Sequence, residues 1–138
     1  MYRTIAVGTD GSETASIAER VALELARTSA GRVLFVSVYA DEPGMQRSAE
    51  IVKAARARAE AAGVAVDSKT MRAEPAEGIV ELADRGDAGL VVVGDVGMAG
   101  RRTLRAGSVP DRVSHSMPCD LLIVRTSMRN RRASTAAS

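Results

Sequence analysis

Two short runs of this chain are apolar at nearly every position, and they restrict its fold more than any other feature. They occupy residues 32–39 and 89–93, and the second contains three valines in a row. A strand with one face in water alternates polar and apolar residues, whereas a strand covered on both faces is apolar throughout. We therefore expect both runs to be interior strands of a parallel sheet that has helices on each face.

The segments around these runs have the periodicity of amphipathic helices. Residues 15–26 and 46–62 place apolar side chains at intervals of three and four, and Ser12 is a suitable N-cap for the first helix. Pro75 begins a third helix, since proline is tolerated in a first helical turn. A fourth helix is predicted for residues 108–116.

Three further strands complete the alternation, at residues 2–8, 64–71 and 120–125. Residues 64–71 are polar enough to predict an edge strand, and residues 41–44 are predicted to form a loop that breaks the second strand. Strands that alternate with helices through short loops require parallel pairing with right-handed crossovers. The expected fold is α/β, a three-layer α/β/α sandwich around a five-stranded parallel sheet of order 3-2-1-4-5.

The length of 138 residues fits one domain, predicted here as residues 1–126. Residues 127–138 are mostly Ser, Ala, Thr and Arg, and we expect a disordered tail. The single cysteine, Cys119, excludes an intramolecular disulfide and suits a reducing compartment. No apolar run approaches the roughly 18 residues of a membrane span, and the first residues lack the pattern of a signal peptide. We expect a cytoplasmic protein without a membrane partner.

Charge and aromatic content disfavour a nucleic-acid partner. The formal net charge is only +2, and the aromatic residues are Tyr2, Phe35 and Tyr39. Proteins that bind nucleic acid usually combine a concentrated basic face with aromatic side chains on which bases stack. We therefore expect no nucleic-acid partner.

A glycine-rich loop follows the apolar strand at residues 89–93. Its spacing is G-x2-G-x9-G, formed by Gly94, Gly97 and Gly107, and Ser108 follows directly. A loop of this kind before a helix presents backbone N–H groups and a positive dipole, which together bind anions. Arg101 adds a cation that could neutralise a phosphate, although a solvated face is the alternative. The spacing matches neither the dinucleotide fingerprint nor the Walker A loop.

Asp10 stands in the turn that closes the first strand, and its role stays open between a ligand contact and a simple Asp-Gly turn with Gly11. In the expected strand order, the loop after strand one and the glycine-rich loop flank the point where the order reverses, which is where such sheets bind ligands. No catalytic residue and no metal site are predicted, because His115 is the single histidine and no nucleophile or ligand cluster accompanies it.

The chain resembles the universal stress protein family over residues 3–125. The resemblance rests on the motifs Ile-Ala-Val-Gly-Thr-Asp-Gly-Ser at 5–12, Pro-Ala at 75–76, Val-Val-Val-Gly at 91–94 and Pro-Cys at 118–119, together with the glycine spacing G-x2-G-x9-G-S. This resemblance implies an adenine-nucleotide-binding regulatory protein of the bacterial stress response. It also implies a homodimer joined through the last strand, at residues 121–124.

The resemblance also implies site residues. Asp10 and the backbone near Gly8 and Thr9 would hold adenine or ribose, and Val38 would contact the adenine. The ribose and phosphates would be held by the glycine-rich loop and the helix start, through Gly94, Gly97, Gly107, Ser108 and Val109.

Pro110 departs from the family pattern, in which many ATP-binding members have a second hydroxyl residue after Gly-Ser-Val. Proline has neither an N–H nor a hydroxyl to donate, so the phosphate site is weakened. A helix start with the sequence Gly-Ser-Val-Pro resembles that of an actinobacterial branch of the family. Members of this branch are associated with cyclic AMP as well as ATP. Both nucleotides stay open as ligands, with Mg²⁺ accompanying ATP. The alternatives are a weak divalent-cation-dependent ATPase and a dimeric interaction module that binds no nucleotide.

Overall fold

The computed structural model describes residues 2–85, 88–95 and 119–125. Its elements in chain order are three strand–helix pairs and two final strands: β1 (Thr4–Gly8), α1 (Glu13–Ser29), β2 (Arg32–Tyr39), α2 (Glu42–Ala61), β3 (Ala65–Arg72), α3 (Pro75–Asp84), β4 (Leu90–Gly94) and β5 (Asp120–Val124). The predicted fourth helix at 108–116 and the predicted tail at 127–138 lie outside the described residues.

All five strands form one sheet in the order β3-β2-β1-β4-β5, and every pair of neighbours is parallel. This confirms the predicted order and places β3 at an edge. The chain moves outward from β1 to β2 and β3, and then crosses back over β1 to β4. The order of the strands therefore reverses between β1 and β4, which is where a crevice opens in such folds.

The core has two halves, one on each face of the sheet. One half packs α1 and α2 against alternate residues of the strands, among them Val7, Phe35 and Val92. The other half packs Ile79 of α3 against Val36 and Val91, which point to the opposite face. Helices on both faces explain why β2 and β4 are apolar at nearly every position, as the sequence predicted.

Helix α2 corrects the prediction for residues 41–44. The helix begins at Glu42 and not at residue 46, because the carboxylate of Asp41 caps it by accepting a hydrogen bond of 2.8 Å from the backbone N–H of Gly44. Pro43 lies in the first turn, where its missing N–H costs nothing. The segment that looked like a strand-breaking loop is therefore the start of a helix.

The end of α1 shows why a glycine follows it. The helix ends at Ser29, and Ala30, not Gly31, adopts the left-handed conformation with φ of 56°. A Cβ on Gly31 would lie 2.6 Å from the carbonyl oxygen of Tyr2. Gly31 is therefore required by a close backbone approach, whereas the turn itself is made by an alanine.

Candidate functional site

The carboxyl ends of β1, β2 and β4 meet at one edge of the sheet. Gly8, the last residue of β1, pairs with Val36 on β2, so Val38 lies two residues beyond it on the neighbouring strand. On the other side β1 pairs with β4, which ends at Gly94. The predicted residues Gly8, Thr9, Asp10, Val38 and Gly94 are thus brought to the same edge, beside the point where the strand order reverses.

Thr9 continues the sheet one step past β1. Its side chain is fully buried, its backbone N–H donates to the carbonyl of Val36 at 2.9 Å, and its Oγ1 accepts from the N–H of Gly11 at 3.2 Å. The Thr9 amide is therefore used within the fold. Thr9 fixes the direction in which the loop leaves β1, and so it positions the residue that follows.

Asp10 is half-buried and forms a turn with its own backbone. Its Oδ1 accepts a hydrogen bond of 2.9 Å from the N–H of Ser12, while Ser12 caps α1 by accepting from Ala15 at 3.1 Å. Within residues 2–85, 88–95 and 119–125, the second carboxylate oxygen has no hydrogen-bond partner. The turn and the ligand contact that the sequence left open are therefore compatible, since one oxygen holds the turn and the other remains as an acceptor.

Helix α2 packs against the tight turn at Gly11. Gly11 has φ of +79°, a conformation that favours glycine, and a Cβ there would lie 3.0 Å from Cγ1 of Ile51. Helix α2 therefore packs against the loop after β1. This packing fixes the loop that carries Asp10.

Two serines anchor the end of β2. Ser37 and Ser48 are both nearly fully buried, and the Ser37 hydroxyl donates to Ser48 Oγ at 3.0 Å. The Ser48 hydroxyl in turn lies 3.4 Å from the carbonyl of Val38. The sequence analysis missed this pair, although a serine inside the apolar run of β2 is the signal that could have found it.

Val38 is half-buried on the face of the sheet that α3 covers. It packs against the cluster that contains Val36, Met71 and Ile79. Because it is the second-last residue of β2, it lies near the carboxyl end of that strand, beside the predicted crevice. An apolar side chain at this position is suited to contact a planar ring.

Gly94 ends β4 and pairs with Val124 of β5. The next residue, Asp95, donates its backbone N–H to the carbonyl of Val124 at 2.8 Å, so the start of the glycine-rich loop is tied to the edge strand. The remaining predicted residues of the loop, Gly97, Arg101, Gly107, Ser108 and Val109, lie outside the described residues, as does Pro110.

Cys119 directly precedes β5 and packs against the apolar cluster on the α3 face. Burial, and secondarily the charge of Asp120, raise the pKa of its thiol. A raised pKa keeps the thiol protonated at neutral pH, and the thiol is a poor nucleophile in that form. The structure therefore gives Cys119 a packing role.

No group of three or more His, Cys, Asp or Glu side chains within the described ranges is arranged to hold a metal ion. Across the same residues, no helix combines the length and the apolar composition that crossing a bilayer requires.

The fold and this crevice define the class: a parallel, doubly wound α/β protein with its candidate site at the reversal of strand order. The chain belongs to the universal stress protein family, whose model matches residues 1–125.

Individual relatives agree with this assignment. A universal stress protein of Mycobacterium tuberculosis is 33% identical over 91% of this chain and 97% of its own length. A universal stress protein crystallised in complex with cAMP superposes with a TM-score of 0.76 at 35% identity, over 91% of this chain and 98% of that one. The universal stress protein from Archaeoglobus fulgidus in complex with dAMP gives a TM-score of 0.73 at 23% identity, over 88% of this chain and 97% of that one, which shows the shared fold.

Proposed function

We propose that this chain is a non-catalytic regulatory protein of the stress response that binds an adenine nucleotide, cyclic AMP or ATP. The observation that carries the proposal is the carboxylate of Asp10. One of its oxygens is fixed by the N–H of Ser12, and the other has no partner within the described part of the chain. An acceptor held in this way at the crevice is suited to a ribose hydroxyl or to the adenine amine.

The walls of the crevice fit the other parts of a nucleoside. Val38 provides an apolar surface for the base, and Gly8 has no side chain to obstruct it. Gly94 leads into the glycine-rich loop, and we assign Gly97, Arg101, Gly107, Ser108 and Val109 to the ribose and phosphates. The relative at 35% identity that was crystallised with cAMP supports this assignment.

Cyclic AMP is the nucleotide that we favour. Pro110 removes two donors from the start of the predicted fourth helix. A cyclic monophosphate needs fewer donors than a triphosphate, so this loss affects it less. ATP with Mg²⁺ remains the second candidate.

A thermal-shift series tests the proposal. Nucleotides that bind the folded state raise the melting temperature by mass action. We expect cAMP, AMP or ATP at millimolar concentration to raise the melting temperature. Cyclic GMP should raise it less, since guanine has a carbonyl group at the position of the adenine amine. If no adenine nucleotide changes the melting temperature, the proposal is wrong.

We also propose that two copies associate through β5. This strand is an edge of the sheet, with Ile123 exposed and Leu121 and Leu122 only half-buried. An apolar edge strand is a suitable surface for a second copy of the chain.

A further inference from the structure

Gly78 lies inside α3, on the side of the helix that faces the sheet, and it is buried. Glycine weakens a helix relative to alanine, so a glycine at an interior position calls for a reason. Its backbone N–H makes the ordinary helical hydrogen bond to Glu74, at 2.9 Å. No unusual backbone conformation requires glycine here, because its φ is not positive.

The reason is the closeness of α3 to the end of β2. A Cβ on Gly78 would lie 2.8 Å from Cγ1 of Val38, which is closer than two non-bonded carbon atoms approach each other. The same Cβ would be at ordinary contact distance from Ala73 and Met71, at 3.5 and 3.7 Å. Among the described residues, the conflict is therefore with Val38.

Val38 has little freedom to move away. Its side chain is β-branched and restricted in χ1, and the apolar cluster around Val36 and Met71 bounds it on the buried side. A larger residue at position 78 would either turn a Val38 methyl group toward the crevice or push α3 outward. Both responses change the same wall of the crevice.

We infer that Gly78 is a positioning residue that sets the place of Val38, and with it the width of the pocket for the base. This inference rests on the proposed function, in which Val38 contacts the adenine. Gly78 itself touches no ligand. It acts by allowing α3 to pack directly on β2.

A double-mutant cycle tests the inference. We expect Gly78→Ala to weaken cAMP binding about tenfold, at the lower end of the effects of overpacking a packed site. Val38→Ala removes the methyl group that conflicts with the new Cβ, so Gly78→Ala should change affinity little when it is added to Val38→Ala. Titration calorimetry with cAMP provides the four affinities.

Gly89→Ala is the matched control. A Cβ there would lie 3.2 Å from Cδ1 of Tyr2. Gly89 directly precedes β4, so it lies at the amino end of that strand, whereas the crevice is at the carboxyl ends. The affinity of this variant for cAMP should stay that of the wild type, and its melting temperature reports any change in stability. A variant that only loosens the fold is thereby distinguished from one that changes the pocket.

Each outcome of this experiment either supports or overturns the inference. If the wild type binds cAMP and Gly78→Ala binds it equally well, the inference is wrong while the proposed function stands. An equal loss in the wild-type and Val38→Ala backgrounds also overturns it, since Gly78 then does not act through Val38. If Gly78→Ala does not fold, the comparison of Val38→Ala with the double variant decides, and equal affinities support the inference. Absence of adenine-nucleotide binding by the wild type overturns both proposals.

Discussion

Arg58 on α2 reaches across to Glu19 on α1, with Nη2 at 2.8 Å from Oε2. The Glu19 side chain is only 3% exposed, whereas that of Arg58 is 51% exposed. The second oxygen of Glu19 is buried and has no hydrogen-bond partner within the described residues. The two helices on this face are thus joined by a carboxylate whose only described partner is a half-exposed guanidinium.

Replacing Arg58 should therefore destabilise the protein. Arg58→Met leaves a buried carboxylate without its partner, and we expect the free energy of unfolding in urea to fall by about 1–3 kcal/mol. Arg27→Met is the control. Arg27 is also in the last turn of its helix, but its pair with Glu24 is exposed on both sides, so we expect a change within about 0.5 kcal/mol.

The double variant Glu19→Met with Arg58→Met separates the charge from the packing. Replacing both members of a buried pair by apolar residues often restores stability. We expect the double variant to be more stable than Arg58→Met alone. A double variant that is equally unstable would show that the charge pair is not the cause.

Tyr2 and Asp120 link the two ends of the described chain, and this link should depend on pH. The Tyr2 hydroxyl donates to Oδ2 of Asp120, and this hydrogen bond is the main cause that raises the pKa of Tyr2 above its usual value of 10.0. A raised pKa in the folded state means that the contribution to stability is complete below the unfolded pKa and is lost as pH rises through the folded pKa.

We expect Tyr2→Phe to lower the free energy of unfolding at about pH 8 and to differ less from the wild type at about pH 11. Tyr39→Phe is the control, because the Tyr39 hydroxyl has no hydrogen-bond partner among the described residues. Urea titrations of the three proteins at both pH values measure the effect. A difference between Tyr2→Phe and the wild type that grows as pH rises would contradict the assignment.

Much of this fold follows from the sequence because burial determines it. The run at 32–39 is apolar on both faces, and β2 has those bounds. The alternation of strands and helices predicted parallel pairing throughout the sheet, since parallel strands need crossover helices. Burial and the alternation of elements are properties of whole segments, so the residue pattern of each segment indicates them directly.

Contacts between residues far apart in the sequence could not be predicted in the same way. The pair of Glu19 and Arg58 joins residues 39 positions apart, and the contact between Gly78 and Val38 depends on how closely one helix approaches one strand. Local sequence patterns contain no information about distances between residues that are far apart in the chain. The start of α2 was missed for a different reason: Asp-Glu-Pro-Gly suits a turn and a capped first helical turn equally well.

Asp10→Asn should weaken nucleotide binding without disturbing the turn. The amide oxygen of asparagine can still accept from the N–H of Ser12, but the negative charge is gone. We expect the affinity for cAMP to fall roughly tenfold to a hundredfold, the effect of losing a charged hydrogen bond. Asp67→Asn, on the edge strand β3, should leave the affinity unchanged. Equal affinities of Asp10→Asn and the wild type would remove Asp10 from the site.

Ile123→Lys should prevent association through β5. The lysine places a charge in the middle of the proposed apolar contact, so we expect light scattering to report a monomer where the wild type is a dimer. Leu25→Lys is the control on α1, since Leu25 is 37% exposed and Ile123 is 36% exposed. A wild-type protein that is monomeric at all concentrations would contradict the proposal.

The most direct test of the central claim is calorimetric titration of nucleotide-stripped protein with cAMP and with ATP, each in the presence and absence of Mg²⁺. We predict saturable binding of cAMP that is independent of Mg²⁺ and tighter than the binding of ATP. Tighter binding of ATP that requires Mg²⁺ would contradict our interpretation of Pro110 and assign the triphosphate as the ligand. No binding of either nucleotide would contradict the assignment of the crevice between β1 and β4 as an adenine-nucleotide site.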